Sequence, residues 1–130
     1  MPIKKNIVAT YKTSTLILSE EIELYRHDSG IDFLIDLRGF RYIFGENDED
    51  EMVGYTGATK YTITIRKPLK GNNPPEYIKT PQNIIEDRKI KFTIDQSMTE
   101  EVGEYTSQIH LYNDNMDCMS MPPFTFLVKP

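Results

Sequence analysis

Few side chains in this sequence could do chemistry, and they stand far apart. His27 and His110 are the two imidazoles, Cys118 is the one thiol, and Glu46 to Glu51 (ENDEDE) places five carboxylates in six positions. Cys118 with His110 as its base would make a nucleophile pair. Cys118, however, lies in a methionine-rich turn, Met116 to Met121, with no helix N-terminus or cationic cluster to lower its pKa. Both histidines fall at outward positions of alternating segments, where an imidazole packed beside Tyr25 or Tyr112 is a simpler reading than a catalytic base. One cysteine and two distant histidines do not have zinc-ligand spacing. The ENDEDE run is not followed by the glycine and the closing glutamate of a calcium-binding loop, so it reads as a solvated loop. No glycine-rich segment joins a strand to a helix as a phosphate cradle would. Glu100-Glu101 is a carboxylate pair of the kind any acidic protein contains. We therefore expect no catalytic residue, no cofactor and no metal.

Composition narrows the classes further. A chain of 130 residues, 38% of them hydrophobic, fits one domain, 1–130, large enough to bury a core without metals or disulfides. The formal charge, 15 − 20 = −5, leaves no basic surplus to displace counterions from phosphates, so nucleic acid is not an expected partner. A single cysteine cannot close an internal disulfide. Lys4 and Lys5 could imitate the start of a secretion signal, but Asn6, Thr10, Lys12, Thr13, Ser14 and Thr15 break up the apolar run that a signal needs next. No apolar run is long enough to span a bilayer. Synthesis in the cytoplasm without membrane contact is the expectation.

The elements that must position any site are strands. Asn6–Lys12, Glu21–His27, Ile31–Leu37, Thr59–Lys67, Lys89–Asp95, Tyr105–Tyr112 and Phe124–Val128 all alternate inward and outward types with period two. Asp28-Ser29-Gly30 supplies turn chemistry that predicts a hairpin between the second and third of these. Phe40, Tyr42 and Phe44 permit a short continuation strand, and Ile84-Ile85 another. Lys70 to Pro75 (KGNNPP) reads as an exposed hairpin tip. Pro122-Pro123 before the last strand suggests an edge position. Between Asp95 and Tyr105, Ser97 or Thr99 can cap one helical turn, and Gly103 can take a positive φ that returns the chain to a strand. Tyr105 then enters that strand as the tyrosine of a sandwich corner does, with its hydroxyl bonded back to nearby backbone. The expected fold is all-β: an immunoglobulin-like antiparallel β-sandwich of about seven to eight strands.

The motifs Phe92-x-Ile94, Ser97-Met98-Thr99-x-x-Val102-Gly103-x-Tyr105, Gln108-Ile109-x-Leu111-Tyr112 and Pro122-Pro123-Phe124-x-Phe126-x-Val128 resemble the N-terminal domain of phage baseplate upper proteins. The resemblance runs in motif from Phe92 to Val128. Over Ile31 to Ile65 it is looser, one of strand rhythm and an aromatic- and glycine-rich link. It implies a non-enzymatic virion part that fastens to a tail hub, with related domains in fibre and decoration proteins. In the resembled proteins a stalk comes after this domain. Here the sequence ends at Pro130 directly after the closing strand, which fits either a trimmed domain or a small adaptor or capsid-fibre attachment protein working alone.

The residues singled out on these grounds are the corner, Ser97, Thr99, Gly103 and Tyr105, and the closing strand, Pro123, Phe124 and Phe126. The outward group His110, Tyr112 and Leu127 is the candidate protein contact, because adjacent final strands could bring these side chains together. Expected partners are other virion proteins (tail hub, fibre or capsid) and further copies of the chain. Charge is uneven along the sequence: Ser19 to Glu51 holds eleven acidic and three basic residues, and Met52 to Lys91 holds three acidic and eight basic. Opposite-sign faces suited to stacking could result, or a mixed solvated surface. Two rivals are a glycan-binding sandwich using Tyr25, Tyr55 or Tyr112, although the chain has no tryptophan, and a hydrolase using His110.

Overall fold

The computed structural model describes residues 3–12, 15–18, 21–37, 40 and 57–130. The acidic run at 46–51, the continuation strand at 40–44 beyond Phe40, and Tyr55 lie outside them. Among the described residues eleven strands succeed one another: β1 (Ile3–Lys12), β2 (Thr15–Leu18), β3 (Ile22–Tyr25), β4 (Ile31–Asp36), β5 (Lys60–Arg66), β6 (Tyr77–Lys79), β7 (Asn83–Ile84), β8 (Lys89–Ile94), β9 (Gly103–Tyr112), β10 (Cys118–Ser120) and β11 (Phe124–Lys129). The one helical piece among the described residues is a 3₁₀ turn, Gln96–Met98.

The strands form an all-β sandwich of two sheets. The smaller runs β2-β1-β4-β8; the larger runs β3-β11-β9-β5-β6, with β10 added to β9 and β7 to β5. Period-two patterning decides which side chains face the interior. In β8, Ile90, Phe92 and Ile94 are all fully buried while Lys91 and Thr93 are exposed. In β9 the inward set is Tyr105, Ser107, Ile109 and Leu111, and in β5 it is Tyr61, Ile63 and Ile65. Rings bridge the two layers at the centre: Phe92 lies 5.8 Å from Phe124 and 5.7 Å from Phe126, both edge-on, and 6.4 Å from Phe33. Tyr105 stacks on Phe126 at 4.8 Å.

The pairing departs from the sequence expectation in three places. The sheets are mixed rather than antiparallel, because β1 runs parallel to β4 and β3 parallel to β11. Parallel neighbours need a long crossover, and here the intervening chain supplies one. The expected hairpin between β3 and β4 does not form. Asp28 does make a tight turn, accepting the Tyr25 N–H at 2.9 Å, but that turn carries the chain from one sheet to the other. The closing strand β11 is not an edge, since it lies between β3 and β9. Pro122 and Pro123 stop short of the strand, where no ladder donor is needed.

Outward positions of central strands are more covered than alternation alone implies. Asp32 is 5% exposed on β4, flanked by β1 and β8, and accepts the Thr93 hydroxyl at 2.7 Å. Three short strands, β2, β6 and β10, have no counterpart among the expected seven to eight.

The corner between β8 and β9 is built by a division of labour. Asp95 is the N-cap of the 3₁₀ turn, and both the N–H and the hydroxyl of Ser97 donate to its carboxylate. Ser97 is therefore the capped residue and not the cap. Thr99 closes the other end and is fully buried, its hydroxyl donating to the Asp28 carbonyl at 2.7 Å. Gly103 has φ +138°, a region essentially reserved for glycine. The Tyr105 hydroxyl donates to the Glu101 carbonyl at 3.0 Å and accepts the Glu101 N–H at 3.2 Å. Tyr61 repeats the device across the sandwich, its hydroxyl donating to the Lys91 carbonyl at 2.9 Å and accepting the Lys91 N–H at 3.0 Å.

Burial pushes both phenols above their ordinary pKa, because each environment penalises the phenolate. A raised folded-state pKa gives stability that is complete below the unfolded value of about 10 and is lost as pH rises through the folded value. Stability should therefore fall on the alkaline side of about pH 10. Tyr105→Phe should cost about 1–2 kcal/mol at neutral pH, by orphaning the Glu101 backbone groups, and should flatten the alkaline slope. Urea midpoints across that pH range would check both; an unchanged slope in the Tyr61→Phe, Tyr105→Phe double variant would contradict the assignment.

Candidate functional site

The outer face of the larger sheet gathers the polar and aromatic side chains that the core does not use. Cross-strand neighbours in register place Thr62 beside His110, Thr64 beside Gln108, Arg66 beside Thr106, and Lys60 beside Tyr112. His110 stands in the middle of this face, half-buried. Its Nδ1 lies 2.7 Å from the Ser120 hydroxyl and its Nε2 3.1 Å from the Thr64 hydroxyl. In the neutral ring one nitrogen accepts and the other donates, and hydroxyls satisfy either assignment. Burial first, and then the nearby charge of Lys79, holds the His110 pKa below its ordinary value.

The Cys118–His110 pairing considered from sequence is not formed. Residues 118–120 are a strand rather than a turn, and in register Cys118 faces Tyr112 while Ser120 faces His110. Ser120 and His110 are a hydroxyl–imidazole pair at hydrogen-bond distance, with Thr64 orienting the ring from the far side. Neither of two cavities in the sandwich reaches them. One, of about 240 Å³, lies between β7 and β8 and is lined by Tyr61, Ile84 and Lys91 among others. The other, of about 190 Å³, is lined by Glu21, Glu23, Glu104 and Leu127. His27 is not on a strand: it sits in the turn after β3 at φ +74°, its N–H donating to the Thr99 carbonyl.

Of the expected contact group, the structure brings two together and separates the third. Tyr112 approaches the His110 region, its hydroxyl 3.3 Å from that of Thr62. Leu127 pairs with Glu104, at the opposite end of β9. Six residues of strand, about 20 Å, part Leu127 from His110. Their separation reflects the break between β10 and β11: β10 takes the place beside His110 that a continuous last strand would have given to residues further on. Tyr25 and Tyr112, the described members of the glycan-binding alternative, are likewise at opposite ends.

Sequence reading missed the charged edges of this face. Glu21, Glu23 and Glu104 are exposed around Leu127, which is 38% exposed, with Lys129 reaching Glu23 at 3.1 Å. Across the sheet, β5 and β6 present Lys60, Arg66 and Lys79 with no acidic residue between them. The uneven charge along the chain was the available signal, but only pairing shows that both halves share one face. Among the described residues no group of three His, Cys, Asp or Glu side chains could hold a metal ion, and no helix is long and apolar enough to cross a membrane. No protein-family model and no curated protein matches the chain.

Proposed function

We propose that this protein is a structural adaptor of a phage particle, an immunoglobulin-like sandwich that works by surface complementarity and docks tail, baseplate or capsid-fibre components. The observation that carries the reading is the corner: of the residues on which the resemblance rests, Tyr105 closes the sandwich through the Glu101 backbone and Gly103 makes the positive-φ bend before it. Strand order supports the immunoglobulin-like assignment. The path β11-β9-β5-β6 matches the G-F-C-C′ order of variable-type domains, and β4-β8 matches B-E. β1 flanks β4 where that plan places strand A, but runs parallel to it rather than antiparallel.

The outer face of the larger sheet is the proposed docking surface. It is broad, carries paired and half-buried polar groups, and holds Tyr77 and Ile84 as well as Leu127 in exposed positions. Co-expression with each tail-hub, fibre and capsid protein encoded beside it tests the proposal. A stoichiometric complex with one of them, surviving gel filtration, is the expected result. Failure to bind any of these purified proteins would sink the adaptor role.

A further inference from the structure

On the outer face of the larger sheet, charge is sorted by edge. Glu21 and Glu23 belong to the β3 side and Glu104 to the start of β9, with Lys129 of β11 as a cation among them, paired to Glu23, whereas Lys60, Arg66 and Lys79 belong to β5 and β6. In strand order, Glu21 and Arg66 are separated by β11 and β9. Three inter-strand steps of about 4.8 Å put their backbones about 14 Å apart, too far for a direct ion pair within one chain. Four of the seven large hydrophobic side chains exposed among the described residues, Tyr25, Tyr77, Ile84 and Leu127, also stand on this face.

We infer that this face is the contact between two copies of the chain, related by a two-fold axis that lies between the faces and parallel to β9. Such an axis exchanges left and right across the sheet and keeps height along the strands. The β3–β11 edge of each copy then covers the β5–β6 edge of the other. Glu21 lies level with Thr125, Thr106 and Arg66 in the strand registers, so Glu21 of one copy comes over the Arg66–Tyr77 pair of its mate. An axis perpendicular to the strands would instead set carboxylate against carboxylate.

The area suffices. The strands of this sheet hold 35 residues in all, and at about 3.3 × 4.8 Å each they give a face of about 550 Å² in projection, which side-chain relief brings toward the ~800 Å² per partner of a standard interface. Polar groups at its centre are already satisfied within the sheet: His110 by Ser120 and Thr64, and Tyr112 by Thr62. Covering them leaves no new orphan.

The inference names a second copy of the chain as the occupant of the docking face proposed above, so that a virion protein binding this face displaces the dimer, and it rests on the adaptor reading only for the idea that the protein acts by docking. A failed dimer leaves binding to other virion proteins open, and a failed adaptor role leaves the dimer open.

Charge exchange tests it by sedimentation velocity of the full chain. The unaltered protein should dimerise, more weakly as salt is raised. Glu21→Arg alone and Arg66→Glu alone should each weaken the dimer by about tenfold or more, because two like-charge contacts form per dimer. Mixing the two variants should restore a 1:1 heterodimer, since every contact is again opposite in sign. Both positions are exposed, so unchanged circular dichroism should accompany each substitution. A monomer at every concentration, a dimer indifferent to both reversals, or a mixture that stays monomeric would each overturn the assignment.

Discussion

Replacing Phe92 by alanine is expected to remove about 3–5 kcal/mol of stability, the largest loss available from a single core substitution here. Phe92 is fully buried on β8 and is the ring through which the two layers meet. It sits opposite Phe33 in register within its own sheet, and its other two aromatic neighbours, Phe124 and Phe126, belong to β11 of the facing sheet. Truncation loses the transfer free energy of the ring, leaves a cavity bounded by two sheets that cannot close independently, and deletes edge-to-face contacts worth about 0.5–1.5 kcal/mol each beyond area. A domain of this size has about 5–15 kcal/mol in all. The melting temperature should therefore fall by about 10–20 °C. Phe92→Leu, which keeps most of the volume, should lose about 1–1.5 kcal/mol. Near-ultraviolet circular dichroism during thermal unfolding would track both through the eight tyrosines. A loss of under 1 kcal/mol for the alanine variant would mean that the sheets repack, contrary to a core centred on this ring.

Phe92 was legible from sequence because period-two alternation is a local property. Ile90, Phe92 and Ile94 declare their face without reference to any other strand, and the same holds for β4, β5, β9 and β11. The corner was legible for a related reason: Gly103 and Tyr105 act through backbone groups only a few residues away. Partnership between distant strands, by contrast, has no local signal. Nothing in β3 states that it will run parallel to β11, about a hundred positions later, and turn residues at Asp28 to Gly30 fit a crossing between sheets as well as a hairpin.

Short strands escaped for want of length. In β10, Cys118-Met119-Ser120 has too few residues to show a period, so its pairing with β9 emerges only from the fold. That pairing decides the environment of His110, whose two partners come from positions 10 and 46 residues away. Leu127 was misplaced beside His110 for the same reason, since faces can be read from alternation but heights along a sheet require register. The sorted charge on the outer face combines both limits. Its two halves are visible as composition along the chain, yet only the order β3-β11-β9-β5-β6 puts them on opposite edges of one surface.

Gly103→Ala should be the most damaging change outside the aromatic core, and its cost has two separable parts. The first is conformational: at φ +138° a residue with a Cβ is strained by about 1–3 kcal/mol wherever its side chain points. The second is steric. A Cβ built on Gly103 would lie 3.0 Å from both Cβ and Cγ of Pro68, ring atoms that cannot swing aside as the end of a long side chain could. Relief by backbone movement is opposed from both flanks. Gly103 pairs with Val128 at the start of β9, and two residues on, the Tyr105 hydroxyl holds the Glu101 backbone. A total loss of about 2–4 kcal/mol is expected, with partial release of the Tyr105 hydroxyl. The parts can be told apart in a Pro68→Gly background, where the steric contribution vanishes and the conformational one stays. The double-mutant cycle should then show a coupling of about 1 kcal/mol, favourable to the pair of substitutions. Zero coupling would assign the whole effect to φ, and a single-variant loss below about 0.5 kcal/mol would show that the corner tolerates a Cβ and that Gly103 does not determine the closure of the sandwich.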